Sequence, residues 1–403
     1  MKEAVIYLGC SYPQMLGIKT LHQAGFAVIG CDIKRLDTDT KFLTEFHRIS
    51  ATDVSSLVAL TKDLKKRYHI LFAYGVADFC YEAVAAIHKE LDDPALPKEY
   101  SHFVSKILSK HIFKTANVPH PYLICKGTNP ENLLSNWKLT NYAGPSVLKI
   151  DARNNSSGVF LIQKTNSKAI LKAVQNSNYN RGHILLEQQV LNYQRIINVD
   201  AIVIDGSFIP LIITSRIIDD IDKRQNLALV QPAIDIAEQD KQKLFGYVRA
   251  IVDSISYKFG AITIDFIEQE PGKFIALEMS PHFHLIRSTI WLLGWSPLVR
   301  LAEKRSKNPL TTIYSFKKIS SHIVCYHLVC DYQLQVIIVK DLITDLIKKG
   351  EVLDGYAMCP RAIGTKYYVG IIWKVVSEKK QIRDFKKKLN TMLKSLAFKS
   401  KNA

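Results

Sequence analysis

The sequence predicts an α/β protein that also carries antiparallel β-structure, and three observations lead to this fold class. Short apolar strands alternate with helices over residues 1–100, the pattern of a parallel sheet with crossover helices. Residues 259–287 contain two runs with a period near two, separated by Glu-Pro-Gly-Lys at 270–273, which predicts a β-hairpin. The section from about 309 onward mixes strands with a terminal helix, which predicts an α+β domain.

Length and composition indicate a folded chain of two or three domains. The 403 residues are 47% hydrophobic and 23% charged, a composition typical of globular proteins. A formal net charge of +17 favours anionic partners such as nucleotides or acidic substrates. The densest basic run, Lys386–Lys388, falls on the predicted terminal helix, where a solvated face explains it. Because no nucleic-acid-binding motif accompanies the charge, nucleic-acid binding is not expected.

The cysteines and the apolar runs predict a soluble cytoplasmic protein. Seven widely spaced cysteines, an odd number in a large chain, suggest reduced thiols. Cys325 and Cys330 have no second pair nearby, so a zinc site is not expected. Met1 leads directly into a strand without a signal peptide, and no apolar run reaches the roughly 18 residues of a membrane helix.

The N-terminal part is predicted to form a parallel sheet. Gly9 follows the first strand, but the segment after it lacks the other glycines of a dinucleotide fingerprint. Asp32, after the second strand, could hold a ribose, which would make this sheet an NAD-binding domain. The alternative is that the sheet lies on the substrate side of the site. The predicted elements are a strand at 4–8, a helix to about 24, a strand at 26–31, a helix at 53–67, a strand at 70–73 and a helix at 79–90.

Two lysine-bearing segments follow. A predicted helix over 101–118 carries Lys106, Lys110 and Lys114 on one face, because residues four apart are neighbours on a helix. A strand at 145–150 contains Lys149 in an apolar setting, which favours a functional role over a surface lysine. The polar segment 151–158 could offer backbone N–H groups to phosphates, although a hairpin turn has the same composition.

The rest of the chain continues this alternation of strands and helices. Asp205-Gly206 is a hairpin turn signal between two strands. The predicted elements are a strand at 159–162, a helix at 166–177, strands at 183–188, 196–204 and 207–216, a helix at 237–258, the hairpin, a helix at 288–304, strands near 321–328 and 366–376, and a helix near 379–396.

The hairpin carries two acidic residues that suit a hard cation. Asp265 lies in its first strand and Glu278 near the end of its second, and a suitable register would bring both to one edge. Ser280, two residues further on, points the same way on an extended chain. The alternative is that both carboxylates are solvated strand-end residues.

In this order, the segments resemble the ATP-grasp superfamily over roughly residues 1–300. The resemblance implies an ATP-grasp fold with an N-terminal Rossmann-like parallel-sheet domain (1–100), an ATP-grasp domain (101–308) and a C-terminal α+β domain (309–403). A small ATP-lid subdomain would span about 120–188. The nearest members are biotin carboxylase, carbamoyl-phosphate synthetase and the amino-acid ligases.

The resemblance implies a role for each matching residue. Lys106 and Lys149 match the two nucleotide-site lysines. Segment 155–158, with Ser156, Ser157 and Gly158, would cover the phosphates of ATP. The adenine edge would be read by backbone groups of the hinge, at Glu187 and Gln188, and Val190 would line the adenine slot. The metal ligands for Mg²⁺, or Mn²⁺, would be Asp265, Glu278 and Ser280.

The sequence departs from the family pattern after the last carboxylate. The family usually has Asn two residues after it and Arg two further on, and this chain has Ser280 and His282 there. The reference pKa of histidine, about 6.5, leaves the charge of His282 open at neutral pH. Arg216, His282 and Arg287 are the candidates for holding a substrate carboxylate or acyl phosphate, with His284 as an alternative.

The resemblance implies an ATP-dependent carboxylate–amine ligase that works through an acyl phosphate and releases ADP and phosphate. Its substrates would be a small carboxylate and an amine, and a homodimer is possible. Two alternatives stay open: a nucleotide-binding regulatory protein with little turnover, and a carboxylase-type enzyme that uses bicarbonate.

Overall fold

A computed structural model of the chain describes residues 1–34, 40–151, 158–177, 179, 182–193, 195–218, 226–307, 321–330, 334–363 and 366–401. The chain forms two compact units. The first comprises Met1–Leu211, Glu238–His284 and Ser296–Thr311, and the second comprises Ile212–Ala237, Leu285–Trp295 and Thr312–Ala403. The domain boundaries inferred from the resemblance stay predictions.

The described strands and helices are numbered in chain order. The strands are β1 (Lys2–Leu8), β2 (Ala27–Cys31), β3 (Glu45–His47), β4 (Tyr68–Gly75), β5 (Leu123–Gly127), β6 (Ser146–Ile150), β7 (Val159–Ile162), β8 (Ile184–Gln188), β9 (Arg195–Ile204), β10 (Ser207–Ile218), β11 (Asn226–Gln231), β12 (Phe259–Glu270), β13 (Lys273–Ser280), β14 (His322–Cys330), β15 (Asp354–Ile363) and β16 (Lys366–Val376). The helices are α1 (Met15–Gln23), α2 (Val54–Leu64), α3 (Tyr81–Leu91), α4 (Ser101–Val104), α5 (Lys106–Thr115), α6 (Pro130–Lys138), α7 (Ser167–Asn176), α8 (Glu238–Ser254), α9 (Ile286–Leu293), α10 (Pro297–Arg305), α11 (Val336–Lys348) and α12 (Lys379–Lys401).

The N-terminal sheet is parallel, as predicted. Its strand order is β3-β2-β1-β4, and β1 pairs in parallel with both β2 and β4. Strand β1 is buried from Ala4 to its end at Leu8, which explains why these residues form a continuous apolar run in the sequence. The alternation of strands and helices was therefore a sound guide to this part of the fold.

A second sheet of the first unit is antiparallel and has the order β5-β8-β6-β7. Helices α6 and α7 pack on it around buried Leu133, Leu148 and Ile170. Strand β5 and helix α6 were not predicted from the sequence. Asn129 caps α6 by accepting from the Asn132 N–H at 2.8 Å, a cap signal that the residues Asn129-Pro130 already contain.

The predicted hairpin is present as β12 and β13, and β12 also pairs antiparallel with β9. Gly272 occupies the turn with a φ of 72°, a conformation that glycine adopts without strain. The register places Asp265 directly opposite Glu278. This strand pairing fixes the position of the two acidic residues.

Two predicted helices are each divided into two. The helix over 101–118 is interrupted at Ser105, whose extended backbone ends α4 and whose hydroxyl caps α5 by accepting from Leu108 N–H at 3.2 Å. The helix over 288–304 is interrupted by Gly294, which ends α9 with a φ of 74°, and by Pro297, which begins α10. The single-helix predictions were wrong because these local signals override the apolar periodicity.

The second unit contains antiparallel strands in the order β11-β14-β16-β15, with α11 and α12 contributing to its core. Helix α12 buries Ile382, Phe385, Leu389 and Leu393, and in its basic run Lys387 and Lys388 are exposed while Lys386 is half-buried. Helix α11 and strand β15 were not predicted from the sequence. Strand β15 is an edge strand with an irregular register and a proline, so it lacks clean alternation.

The structure bears on the state of the cysteines and on membrane-spanning helices. No disulfide links the cysteines whose side chains the structure describes. Over the same described part of the chain, the helices are too short or too polar to cross a bilayer.

Candidate nucleotide and metal site

The centre of the candidate site is the cross-strand pair Asp265 and Glu278. Residues directly opposite on antiparallel strands project from the same face, and like charges in this arrangement repel each other. A divalent cation between them would remove this repulsion. Magnesium ions are commonly held by one or two carboxylates together with substrate phosphates.

The neighbouring strand β9 adds buried polar groups that the sequence analysis missed. Asn198 lies opposite Asp265, and its side-chain amide donates a hydrogen bond to that carboxylate. Asp200 lies opposite Thr263 and accepts a hydrogen bond from the Thr263 hydroxyl. Both β9 residues are fully buried. Polar residues two apart in an otherwise apolar buried strand were the signal that could have identified them.

Lys106 faces the carboxylate pair from helix α5. Its Nζ lies 3.2 Å from Oε1 of Glu278, and its side chain is 11% exposed. The start of α5 is fixed by Asp151, which accepts from the Lys106 N–H at 2.6 Å and from the Ser105 hydroxyl at 3.0 Å. Asp151 follows β6, so this contact holds the Lys106 helix against the strand that carries Lys149. Nothing in the sequence indicated that pairing.

Lys110, Lys149 and Glu187 form a buried ionic cluster. Lys110 Nζ lies 3.0 Å from Oε2 of Glu187, and Lys149 pairs with the other carboxylate oxygen. Burial alone would raise the pKa of Glu187, but the two ammonium groups outweigh it and hold that pKa below its usual value. Burial lowers the pKa of Lys110 to about 8, despite the attraction of Glu187. Glu187 is therefore ionised at neutral pH and faces two cations.

The lowered pKa of Lys110 predicts a specific pH dependence of stability. Three charged groups act on Lys110: Glu187 and Lys149 within the cluster, and Glu278 outside it. From about pH 8 to pH 10.5, its usual value, the unfolded chain binds more protons at this lysine than the folded chain does. The free energy of unfolding of the wild type should therefore rise with pH relative to that of Lys110→Met. Urea unfolding of both proteins across this range measures the difference, and parallel pH profiles would contradict the prediction.

The predicted phosphate loop and hinge are described only in part. Ser156 and Ser157 lie outside the described residues, and Gly158 is buried, with its carbonyl accepting from the Ile150 N–H at 2.9 Å. In the hinge, the Gln188 N–H donates to the Tyr122 carbonyl at 2.8 Å, and Val190 is half-buried. The roles predicted for these residues stay predictions.

His282 belongs to a polar cluster with Asp78 and Tyr81. The Tyr81 hydroxyl lies 2.7 Å from Oδ1 of Asp78 and 2.5 Å from Nδ1 of His282. Burial lowers the pKa of His282, although Asp78 and Glu278 act in the opposite direction. The lowered pKa favours the uncharged form of His282, which cannot supply the permanent positive charge of an arginine. Ser280 lies opposite Thr263 in the hairpin and is half-buried.

The two predicted arginines belong to the second unit. Arg216 lies on β10 opposite Leu229 of β11 and is half-buried. Arg287 is buried, pairs with Asp354 and contacts the rings of Trp291 and Trp373, at 5.7 and 5.2 Å from the guanidinium carbon to the ring centroids. Substrate binding by either arginine stays a prediction.

The arrangement within the first unit suits a magnesium-bound polyphosphate. Two carboxylates on one face supply hard oxygen ligands, and Lys106 and Lys149 supply positive charge. The described residues contain no group of three or more His, Cys, Asp or Glu side chains that could hold a metal ion.

Comparison with known proteins finds similarity in structure but none in sequence. No protein-family model matches the chain, and no curated protein matches it. Among solved structures, carboxyaminoimidazole ribonucleotide synthase from Aspergillus clavatus, complexed with ATP, superposes with a TM-score of 0.74 at 12% identity. The match covers 98% of this chain and 99% of that one.

Two further structures have similar architecture. The L-amino acid ligase from Bacillus licheniformis gives a TM-score of 0.73 at 12% identity and covers 96% of this chain and 97% of its own. The biotin carboxylase of Campylobacter jejuni gives 0.67 at 15% identity, over 94% and 88% respectively. These similarities extend over nearly the whole chain, and they agree with the order of segments in the sequence. The protein therefore has the ATP-grasp fold.

Proposed function

We propose that this chain is an ATP-dependent carboxylate–amine ligase that releases ADP and phosphate. The observation that supports the proposal most strongly is the pair Asp265 and Glu278 on one hairpin face, with Lys106 3.2 Å from Glu278. Three structures with the same fold are named as a ligase, a synthase complexed with ATP and a biotin carboxylase in a beta-gamma-ATP complex. The proposal therefore rests on local geometry and shared architecture together.

In the proposed reaction, the residues of the chain bind and orient the reactants. Asp265 and Glu278, with Ser280, would hold Mg²⁺, which offsets the charge of the phosphates when bound. Lys106 and Lys149 would contact phosphate oxygens and stabilise the charge that develops during transfer. A substrate carboxylate oxygen attacks the γ-phosphorus, the bond to ADP breaks, and an acyl phosphate forms. An amine then attacks the acyl carbon, phosphate leaves, and the amine nitrogen loses a proton to solvent.

Release of ADP and phosphate tests this function. The purified protein with MgATP should release both when the correct carboxylate and amine are supplied together, and an amide product should form in equal amount. A panel of amino acids and small carboxylates covers the substrate classes that the ligase proposal allows. If MgATP binds but no combination releases phosphate, the ligase proposal is wrong.

A regulatory nucleotide-binding protein is the second candidate function. Its supporting observation is that Ser280 and His282, whose pKa is lowered by burial, stand where the family usually has Asn and a cationic Arg. Nucleotide binding without substrate-dependent phosphate release would support this candidate. A bicarbonate sample in the same panel tests the carboxylase alternative, which requires bicarbonate-dependent phosphate release.

A further inference from the structure

Lys110 is a buried cation that has no role in the reaction described above. It lies one helical turn after Lys106 on α5, and its side chain is 4% exposed. Its ammonium group faces Glu187 at 3.0 Å and lies 6.0 Å from the centre of the Phe113 ring. Burying a lysine is costly unless its charge is paired, so its position in this cluster requires an explanation.

The charge balance of the cluster explains why Lys110 is buried there. Two ammonium groups surround one buried carboxylate, so Glu187 has one more counter-charge than it needs in the free protein. If Lys149 turns to the phosphates, Glu187 loses one of its partners. A buried carboxylate left without any cation would oppose that movement, because an uncompensated buried charge is strongly unfavourable. Lys110 remains with Glu187 and removes this opposition.

We propose that Lys110 is a positioning residue that neutralises Glu187 and thereby releases Lys149 to bind the phosphates of the nucleotide. This inference rests on the proposed function, because it assigns Lys149 to the phosphates. The two buried lysines therefore have different roles. Lys149 acts on the ligand, whereas Lys110 acts on Glu187.

The test is the affinity for MgADP at pH 7, measured by titration calorimetry on the full chain. Lys110→Met should bind MgADP at least about tenfold more weakly than the wild type, since Glu187 then retains Lys149. The matched control is Lys114→Met, which removes an exposed lysine one turn further along the same helix. It should bind within about twofold of the wild type.

The double variant Lys110→Met/Glu187→Gln distinguishes positioning from direct contact. With the carboxylate removed, Lys149 has no competing partner, so the affinity should return to within about threefold of the wild type. A double variant as weak as Lys110→Met would show that Lys110 contacts the nucleotide itself and would overturn the proposal. Because it also lacks the buried carboxylate, the double variant provides a test even if Lys110→Met does not fold.

The experiment also separates failure of this inference from failure of the proposed function. A wild type that binds MgADP and a folded Lys110→Met that binds it equally well would overturn the role of Lys110 alone. A wild type that does not bind MgADP would overturn the proposed function, and the inference with it. Circular dichroism of each variant confirms that a change in affinity does not arise from unfolding.

Discussion

Replacing Glu278 with Gln is expected to reduce ADP formation by about 10³-fold or more while the protein stays folded. The substitution removes one of two hard anions that face each other across the hairpin. In the free protein it also removes the repulsion between Glu278 and Asp265, so the hairpin should not be destabilised. The lost contact with Lys106 involves a Glu278 side chain that is 44% exposed, and such pairs contribute little to stability.

Glu270→Gln is the matched control for this prediction. Glu270 lies on the same hairpin, but it is exposed and pairs with the exposed Lys273 across the turn at 3.7 Å. Its replacement should leave ADP formation within about twofold of the wild type. ADP formation is measured with the substrate pair that the panel identifies, and thermal unfolding monitors the fold. A Glu278→Gln protein with full activity would exclude Glu278 from the site.

The second large effect is expected for Lys149→Met, which should weaken nucleotide binding on the order of 100-fold. Lys149 is the cluster lysine assigned to the phosphates, and its side chain is 12% exposed. Its removal leaves Lys110 and Glu187 as a one-to-one pair, so the buried charge stays compensated. The fold should therefore persist while a charge-assisted contact with the ligand is lost.

Lys126→Met provides the comparison for Lys149→Met. Lys126 lies on β5 of the same small sheet, but its side chain is exposed. Titration of both variants with MgADP measures the effect of the Lys149 charge against that of a neighbouring surface lysine. Equal affinities for the two variants would mean that Lys149 does not contact the nucleotide.

Local sequence patterns predicted the parts of the fold that depend on short-range signals. The apolar runs 4–8 and 26–31 became buried strands of a parallel sheet. The turn residues at 270–273 fixed the hairpin, and the hairpin register then placed Asp265 opposite Glu278. In these cases the period of the apolar residues and the turn chemistry determine the structure without help from distant contacts.

The surroundings of the site could not be predicted in the same way. Asn198 donates a hydrogen bond to Asp265, and Asp151 accepts one from the first residue of α5. Both bonds join segments that are far apart in the sequence. Lys110 shares a face with Lys106, yet only the docking of α5 in the folded structure shows that its ammonium group faces Glu187. Such contacts depend on strand order and helix docking, which the periodicity of a single segment does not specify.

A crystal structure of the protein with MgADP tests the central claim most directly. The proposal predicts that one metal ion lies between Asp265 and Glu278, with metal–oxygen distances of about 2.1 Å, and that it also contacts a phosphate oxygen. It further predicts that the Lys106 and Lys149 ammonium groups approach the phosphates to about 3 Å. A nucleotide bound elsewhere, with these four side chains left in their present pairs, would contradict the assignment.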